Sequence, residues 1–82
     1  MEKQIAAIPK NAREELRVAL TQFRGHDLID LRIYADAQGE WIATRKGITT
    51  KVDHLPAIVE ALQRAMTEAR AAGLLPGVEN AA

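Results

Sequence analysis

Hydrophobic and polar positions alternate through the middle of the chain, and then the period changes. Leu16, Val18 and Leu20 alternate with Arg17, Ala19 and Thr21, and Phe23 continues the Arg17 side. A period of two is that of a strand with one buried face. Gly25 then marks a turn or bulge. Residues 26–34 repeat the pattern most clearly, with Ile29, Leu31 and Ile33 set against Leu28, Asp30, Arg32 and Tyr34. Their β-branched and aromatic content agrees with a strand. A short hairpin loop over 36–39 leads to a third strand, 40–46. In it Trp41, Ala43 and Arg45 take one face, and Ile42, Thr44 and Lys46 the other. Gly47 reads as a tight turn, and 48–52 as a fourth, short strand. Upstream, 1–11 reads as an extended lead-in, because Pro9 lacks a backbone donor and turns Ile8 away from helix.

Beyond residue 52 the period becomes helical. Leu55, Ile58, Val59, Leu62, Ala65, Met66 and Ala69 recur at steps of three and four. Asp53 is the expected N-cap, Pro56 fits the first turn, and Gly73 fits the C-cap. Leu74 and Leu75 are expected to dock as a hydrophobic cap contact. Leu55, Ile58, Val59 and Leu62 are expected to face the sheet, leaving Met66 and Ala69 for self-association. The expected fold is α+β: a four-stranded antiparallel sheet followed by one C-terminal helix, β-β-β-β-α. The expected division is an extended segment over 1–12, a core domain over 13–73 and a tail over 74–82.

Length and composition narrow the function. At 82 residues the chain is one domain whose core is marginal alone, which favours association. With 48% hydrophobic and 27% charged residues it is not disordered by composition. Eleven basic and eleven acidic residues cancel, so any electrostatic role rests on segregation of charge. Residues 13–51 hold seven bases and six acids, so a groove there leans on stacking as much as on charge. No apolar run approaches the ~20 residues that span a bilayer. The first ten residues lack the apolar stretch of a signal peptide. A cytoplasmic protein without membrane partners is expected, nucleoid-associated in a prokaryote.

The chain lacks the groups that catalysis uses. It contains neither cysteine nor serine. His26 and His54 are not at metal-ligand spacing. Asp27 and Asp30 point to opposite faces of a strand, so they form no carboxylate pair. The threonines lack an activating base, and residues 45–49 lack the glycine frame of a phosphate loop. No enzyme activity, cofactor or metal is expected.

Binding fits better. Single strands are held by a basic groove with aromatic faces on which bases stack. Arg17, Arg32 and Lys46 are the candidate phosphate partners of the face opposite the core, and Phe23 and Tyr34 the candidate stackers. Arg24 and Arg45 lie at strand ends, where a long side chain reaches round an edge. An ordinary solvated or dimer-buried face is the competing reading. Trp41 has a face that depends on register, and is read as core or interface before stacker.

These residues carry a resemblance. Residues 17–25 with Phe23-Arg24-Gly25, residues 28–34 with Ile29-Asp30-Leu31-Arg32, Gly39-Glu40-Trp41, and Arg45-Lys46-Gly47-Ile48-Thr49 resemble the single-stranded-DNA-binding core of the coactivators known as positive cofactor four. The likeness spans about 15–62. It implies a curved whirly-like sheet with a C-terminal helix, a homodimer with helices at the interface, and binding of single-stranded or unpaired DNA. It implies transcription regulation, with the transcription machinery as a further partner. RNA binding or a protein-interaction module on the same dimer is the alternative. Phe23, Arg24, Arg32 and Lys46 stand where the family places DNA-contacting groups, with Arg45 beside them. Ile42-Ala43 departs from the family's Lys-Pro step, and His26 stands where a lysine would strengthen the groove, which implies a weaker groove or a different nucleic-acid preference.

Overall fold

The computed structural model describes residues 2–76. In chain order it contains β1 (Lys3–Asn11), β2 (Glu14–Phe23), β3 (His26–Ala37), β4 (Glu40–Lys51), a 3-10 turn (Val52–His54) and α1 (Leu55–Ala71). The strands form one antiparallel sheet in the order β1-β2-β3-β4. The α+β class with four strands and a following helix is therefore as expected. The strands themselves are not the expected four. The lead-in over 1–12 contributes β1, paired along β2, instead of a segment set before the core. The two short strands over 40–46 and 48–52 are one strand, β4.

Both corrections have a physical cause. β1 slips register between Gln4 and Ala6 and again between Pro9 and Asn11. Each bulge breaks the period of two, so the alternation is invisible in the sequence. Pro9 is tolerated because β1 is an edge strand. In β4, Gly47 pairs with Arg32 and continues the strand. A Cβ there would lie 2.5 Å from the Leu31 carbonyl oxygen and 2.9 Å from Arg32 Cα. The glycine is required by a close approach, not by a turn.

The true turns are two-residue hairpins. Arg24 and Gly25 have φ of 52° and 80°, between the paired Phe23 and His26. Gln38 and Gly39 have φ of 57° and 89°, between the paired Ala37 and Glu40. Positive φ at both positions matches the twist of the flanking strands. The Asp36 carboxylate accepts the Gly39 N–H at 2.8 Å and closes the second turn.

The chain divides into two compact units, Met1–Val52 and Asp53–Ala82. In the sheet unit, one face gathers the aliphatic residues. Leu16 opposes Ile8 and Ile33, Leu20 opposes Ile29, and Leu31 opposes Val18 and Ile48. Burial falls from the centre outward. Ile29 is the one buried hydrophobic among the described residues, whereas Ile8, Ile42 and Ile48 on the edge strands are 50%, 49% and 59% exposed.

In the helical unit the expected N-cap is corrected. Asp53 lies within the 3-10 turn, and His54 takes the N-cap position without a capping side-chain bond. At the other end, Gly73 (φ 78°) donates to the Arg70 carbonyl and Leu74 N–H to the Ala69 carbonyl. This is the Schellman arrangement that a glycine at that position permits. Leu74 is 75% exposed, so it does not dock as a cap contact. Exposure is not confined to Met66, since Val59 and Leu62 are open too. The tail expected over 74–82 lies outside the described residues from 77 onward.

Gly47→Ala is expected to lower stability by about 1–3 kcal/mol, the range for forcing atoms into occupied space. Gly39→Ala meets nothing within 4 Å and is strained only through its φ. Urea midpoints of the two variants test this, with Gly47→Ala carrying the larger loss.

Candidate nucleic-acid interface

The β2–β3 ladder runs without a slip from Glu14–Ala35 to Phe23–His26, so it fixes which side chains share a face. Opposite the aliphatic face stand Glu15, Arg17, Thr21 and Phe23 of β2, with Asp30, Arg32 and Tyr34 of β3. Arg17 and Arg32 are directly paired. Two cations in cross-strand register repel, which costs stability.

Each arginine is held by its own carboxylate two residues away. Arg17 Nε donates to Glu15 Oε2 at 2.6 Å, and its guanidinium lies 4.1 Å from the Tyr34 ring centroid. Arg32 Nη2 donates to Asp30 Oδ1 at 3.0 Å. The remaining donors of Arg32 reach across to β4. Nη1 donates to the Thr44 carbonyl and Nη2 to Thr49 Oγ1, both at 3.0 Å. Thr49 Oγ1 in turn donates to Asp30 Oδ1 at 2.6 Å.

Asp30 feels opposing influences. Partial burial raises its pKa, but the hydrogen bonds from Arg32 and Thr49, with the Arg32 charge, leave it below the ordinary carboxylate value. Glu14, on the other face, is also lowered, first by its hydrogen bond from Asn11 and then by Lys10.

Phe23 and Arg24 form the β2–β3 hairpin end. Phe23 is 61% exposed, and the Arg24 guanidinium lies 5.1 Å from its ring centroid. Phe23 is six residues along β2 from Arg17, which is about 20 Å at strand rise. The Tyr34 ring has one face occupied by Arg17, so it offers less open surface than expected.

Arg45 and Lys46 belong to a bulge. Arg32 pairs with Gly47 and Tyr34 with Ala43, so Ile33 alone stands opposite residues 44–46. Thr44 Oγ1 donates to the Ile33 carbonyl at 2.7 Å and accepts the Lys46 N–H at 3.2 Å. Arg45 is exposed. Lys46 precedes Gly47 and lies within the bulge, where the period of two is broken. Its charge is felt by Glu14 on the aliphatic side. The structure therefore gathers Arg17, Phe23, Arg32 and Tyr34 on one face, with Arg24 at its end, and sets Arg45 and Lys46 in the β4 bulge.

Two further residues lie on this face: Trp41, expected in the core or an interface before stacking, and Lys51, which the sequence pattern did not single out. Trp41 pairs with Asp36, beside Tyr34, and is 40% exposed. Its face follows once Gln38-Gly39 is taken as a two-residue turn, because that sets the register of β4. Lys51 pairs with Leu28 and adds a base near the Phe23 end. Among the described residues, no group of three His, Asp or Glu side chains could hold a metal, and no helix is long and apolar enough to cross a membrane.

Comparison with known proteins bears on the family and the fold. The family model described as Transcriptional Coactivator p15 (PC4) matches residues 10–61. A PC4 homologue from Burkholderia pseudomallei is similar at 28% identity and a TM-score of 0.73, over 80% of this chain and 98% of that one. The MoSub1–ssDNA complex is similar at 31% identity and a TM-score of 0.62, over 82% of this chain and 78% of that one. A bacteriophage T5 homologue of the eukaryotic coactivator PC4, implicated in recombination-dependent DNA replication, shares the fold at 18% identity and a TM-score of 0.69, over 84% and 81%. No curated protein matches.

The lowered carboxyls set an acid limit. A depressed folded pKa means that the unfolded chain binds more protons on acidification. The stability from Asp30 is thus complete above the ordinary carboxylate range and lost as pH falls through it to the folded value. Between neutral pH and about pH 3 the urea midpoint should drop further in the wild type than in Asp30→Asn. Equal drops would show that Asp30 carries none of this dependence.

Proposed function

This chain belongs to the Transcriptional Coactivator p15 (PC4) family, and from that premise we propose that it binds single-stranded or unpaired DNA in transcription regulation. The observation that carries the reading is the exposed Phe23 ring with the Arg24 guanidinium beside it, at the end of a face that also bears Trp41, Tyr34 and Arg17. Aromatic rings flanked by bases hold single strands by stacking plus phosphate attraction, with little sequence choice. Arg45 and Lys46, on the β4 edge, extend the contacts to phosphates. RNA offers the same stacking and charge, and the transcription machinery is the further partner this reading implies. The reading is of a binding protein in the cytoplasm, not an enzyme.

The ligand-binding unit is a homodimer. One buried hydrophobic residue among the described ones is a small core for a chain of this length. Val59, Leu62 and Met66 repeat along α1 and are 44%, 62% and 43% exposed. A stripe of that kind fits a second copy of the chain.

Fluorescence anisotropy with labelled oligo-dT and a duplex, across a salt series, tests the ligand. Oligo-dT is expected to bind more tightly than duplex. Phe23→Ala should cost about 1–3 kcal/mol per lost stacked base, with the salt slope unchanged. Lys46→Ala should reduce the slope by about 0.7, one phosphate contact. A wild-type protein that shifts neither probe at low salt overturns the reading. For the dimer, light scattering should give twice the chain mass for the wild type and less for Leu62→Lys. A wild-type protein that stays monomeric up to tens of micromolar refutes it.

A further inference from the structure

We propose that Arg32 is a positioning residue, a latch that holds the β4 bulge in the shape that presents Arg45 and Lys46, and not itself a phosphate ligand. The inference rests on the nucleic-acid reading above. Four observations carry it. Nε, Nη1 and Nη2 of Arg32 all donate within the protein, to Asp30, the Thr44 carbonyl and Thr49 Oγ1. Its side chain is only 21% exposed, as is that of Asp30. Gly47 leaves the room that the guanidinium fills, since a Cβ there would stand 3.1 Å from Arg32 Cζ. Thr44, whose carbonyl Arg32 grips, is the residue whose hydroxyl ties the bulge to Ile33 and to the Lys46 N–H.

The physical logic follows from the bulge. Three residues of β4 stand opposite one of β3, so the ladder between them is interrupted. The Thr44 carbonyl takes a charge-assisted bond from Arg32 instead of a neutral ladder bond. A planar fork can bond a carboxylate, a hydroxyl and a carbonyl at once, which a lysine ammonium on its flexible stem cannot do in the same geometry. Asp30 is then necessary to the site despite its sign. It orients the fork and neutralises it where it faces Arg17. An acid in the middle of a face for an anion is otherwise a defect.

This gives a test whose sign is opposite to that of simple electrostatics. Asp30→Ala raises the net charge by one. If Arg32 were a phosphate ligand, its release should tighten oligo-dT binding and steepen the salt slope. The latch predicts about a tenfold weaker affinity and a slope shallower by about 0.7. Arg32→Lys keeps the charge and should lose as much, whereas a plain phosphate contact would tolerate lysine. Limited trypsin digestion without DNA reads the bulge directly. Both variants should be cut faster after Arg45 and Lys46, with cleavage after Arg64 and Arg70 unchanged; global destabilisation would speed all four. Tighter or unchanged binding by Asp30→Ala, wild-type binding by Arg32→Lys, or unchanged cleavage at the bulge overturns the latch. A wild-type protein that binds no oligonucleotide overturns the nucleic-acid reading itself, and the digestion still decides whether the latch exists.

Discussion

Arg17 and Arg32 face each other at the centre of the sheet, and the surrounding polar structure answers that repulsion. Glu15 and Asp30 sit two residues before each arginine on its own strand, hence on the same face. Tyr34 supports the Arg17 guanidinium from below. Thr49 and the Thr44 carbonyl take up the outer donors of Arg32, and Gly47 leaves the room to do so. The opposition itself is imposed by the β2–β3 ladder. Its two-residue turn and ten uninterrupted pairs allow no slip that would separate the two cations.

That ladder is also the part most plainly written in the sequence. β2 and β3 alternate cleanly because each has one aliphatic and one polar side and no bulge. The outer strands are harder to read for the same physical reason in two forms. In β1, bulges near Ile5 and Lys10 shift the parity, so Ala6 and Ile8 reach the aliphatic face without alternating from Lys3. In β4, the extra residues at 44–46 and the glycine at 47 imitate a chain reversal. The two misreadings offset each other in the strand count. Asp53 looked like a helix cap because local chemistry favours it, but a 3-10 turn intervenes before α1.

Site residues follow the same division. Arg17, Phe23, Arg32 and Tyr34 lie on regular strands, and their shared face could be read from parity. Trp41, Lys46 and Lys51 lie on β4, where placement needs the turn register and the bulge as well. What no period reveals is how occupied a side chain is. Arg17 and Arg32 look like free cations in the sequence, yet each is paired and mostly buried.

Net neutrality can therefore coexist with anion binding. Ion pairs cancel the two arginines at the middle of the polar face, so little unspent charge remains there. The less encumbered groups lie toward its two ends. Phe23, Arg24 and Lys51 gather at one end, because Leu28 pairs with Lys51 and follows the hairpin closely. Trp41 lies at the other, beside the Arg17-covered Tyr34 ring. A face built this way cannot draw a duplex by bulk field, whose attraction grows with the number of phosphates neutralised. Under the proposed reading, it would offer a chain of unstacked bases aromatic surface at both ends and a neutral middle between them.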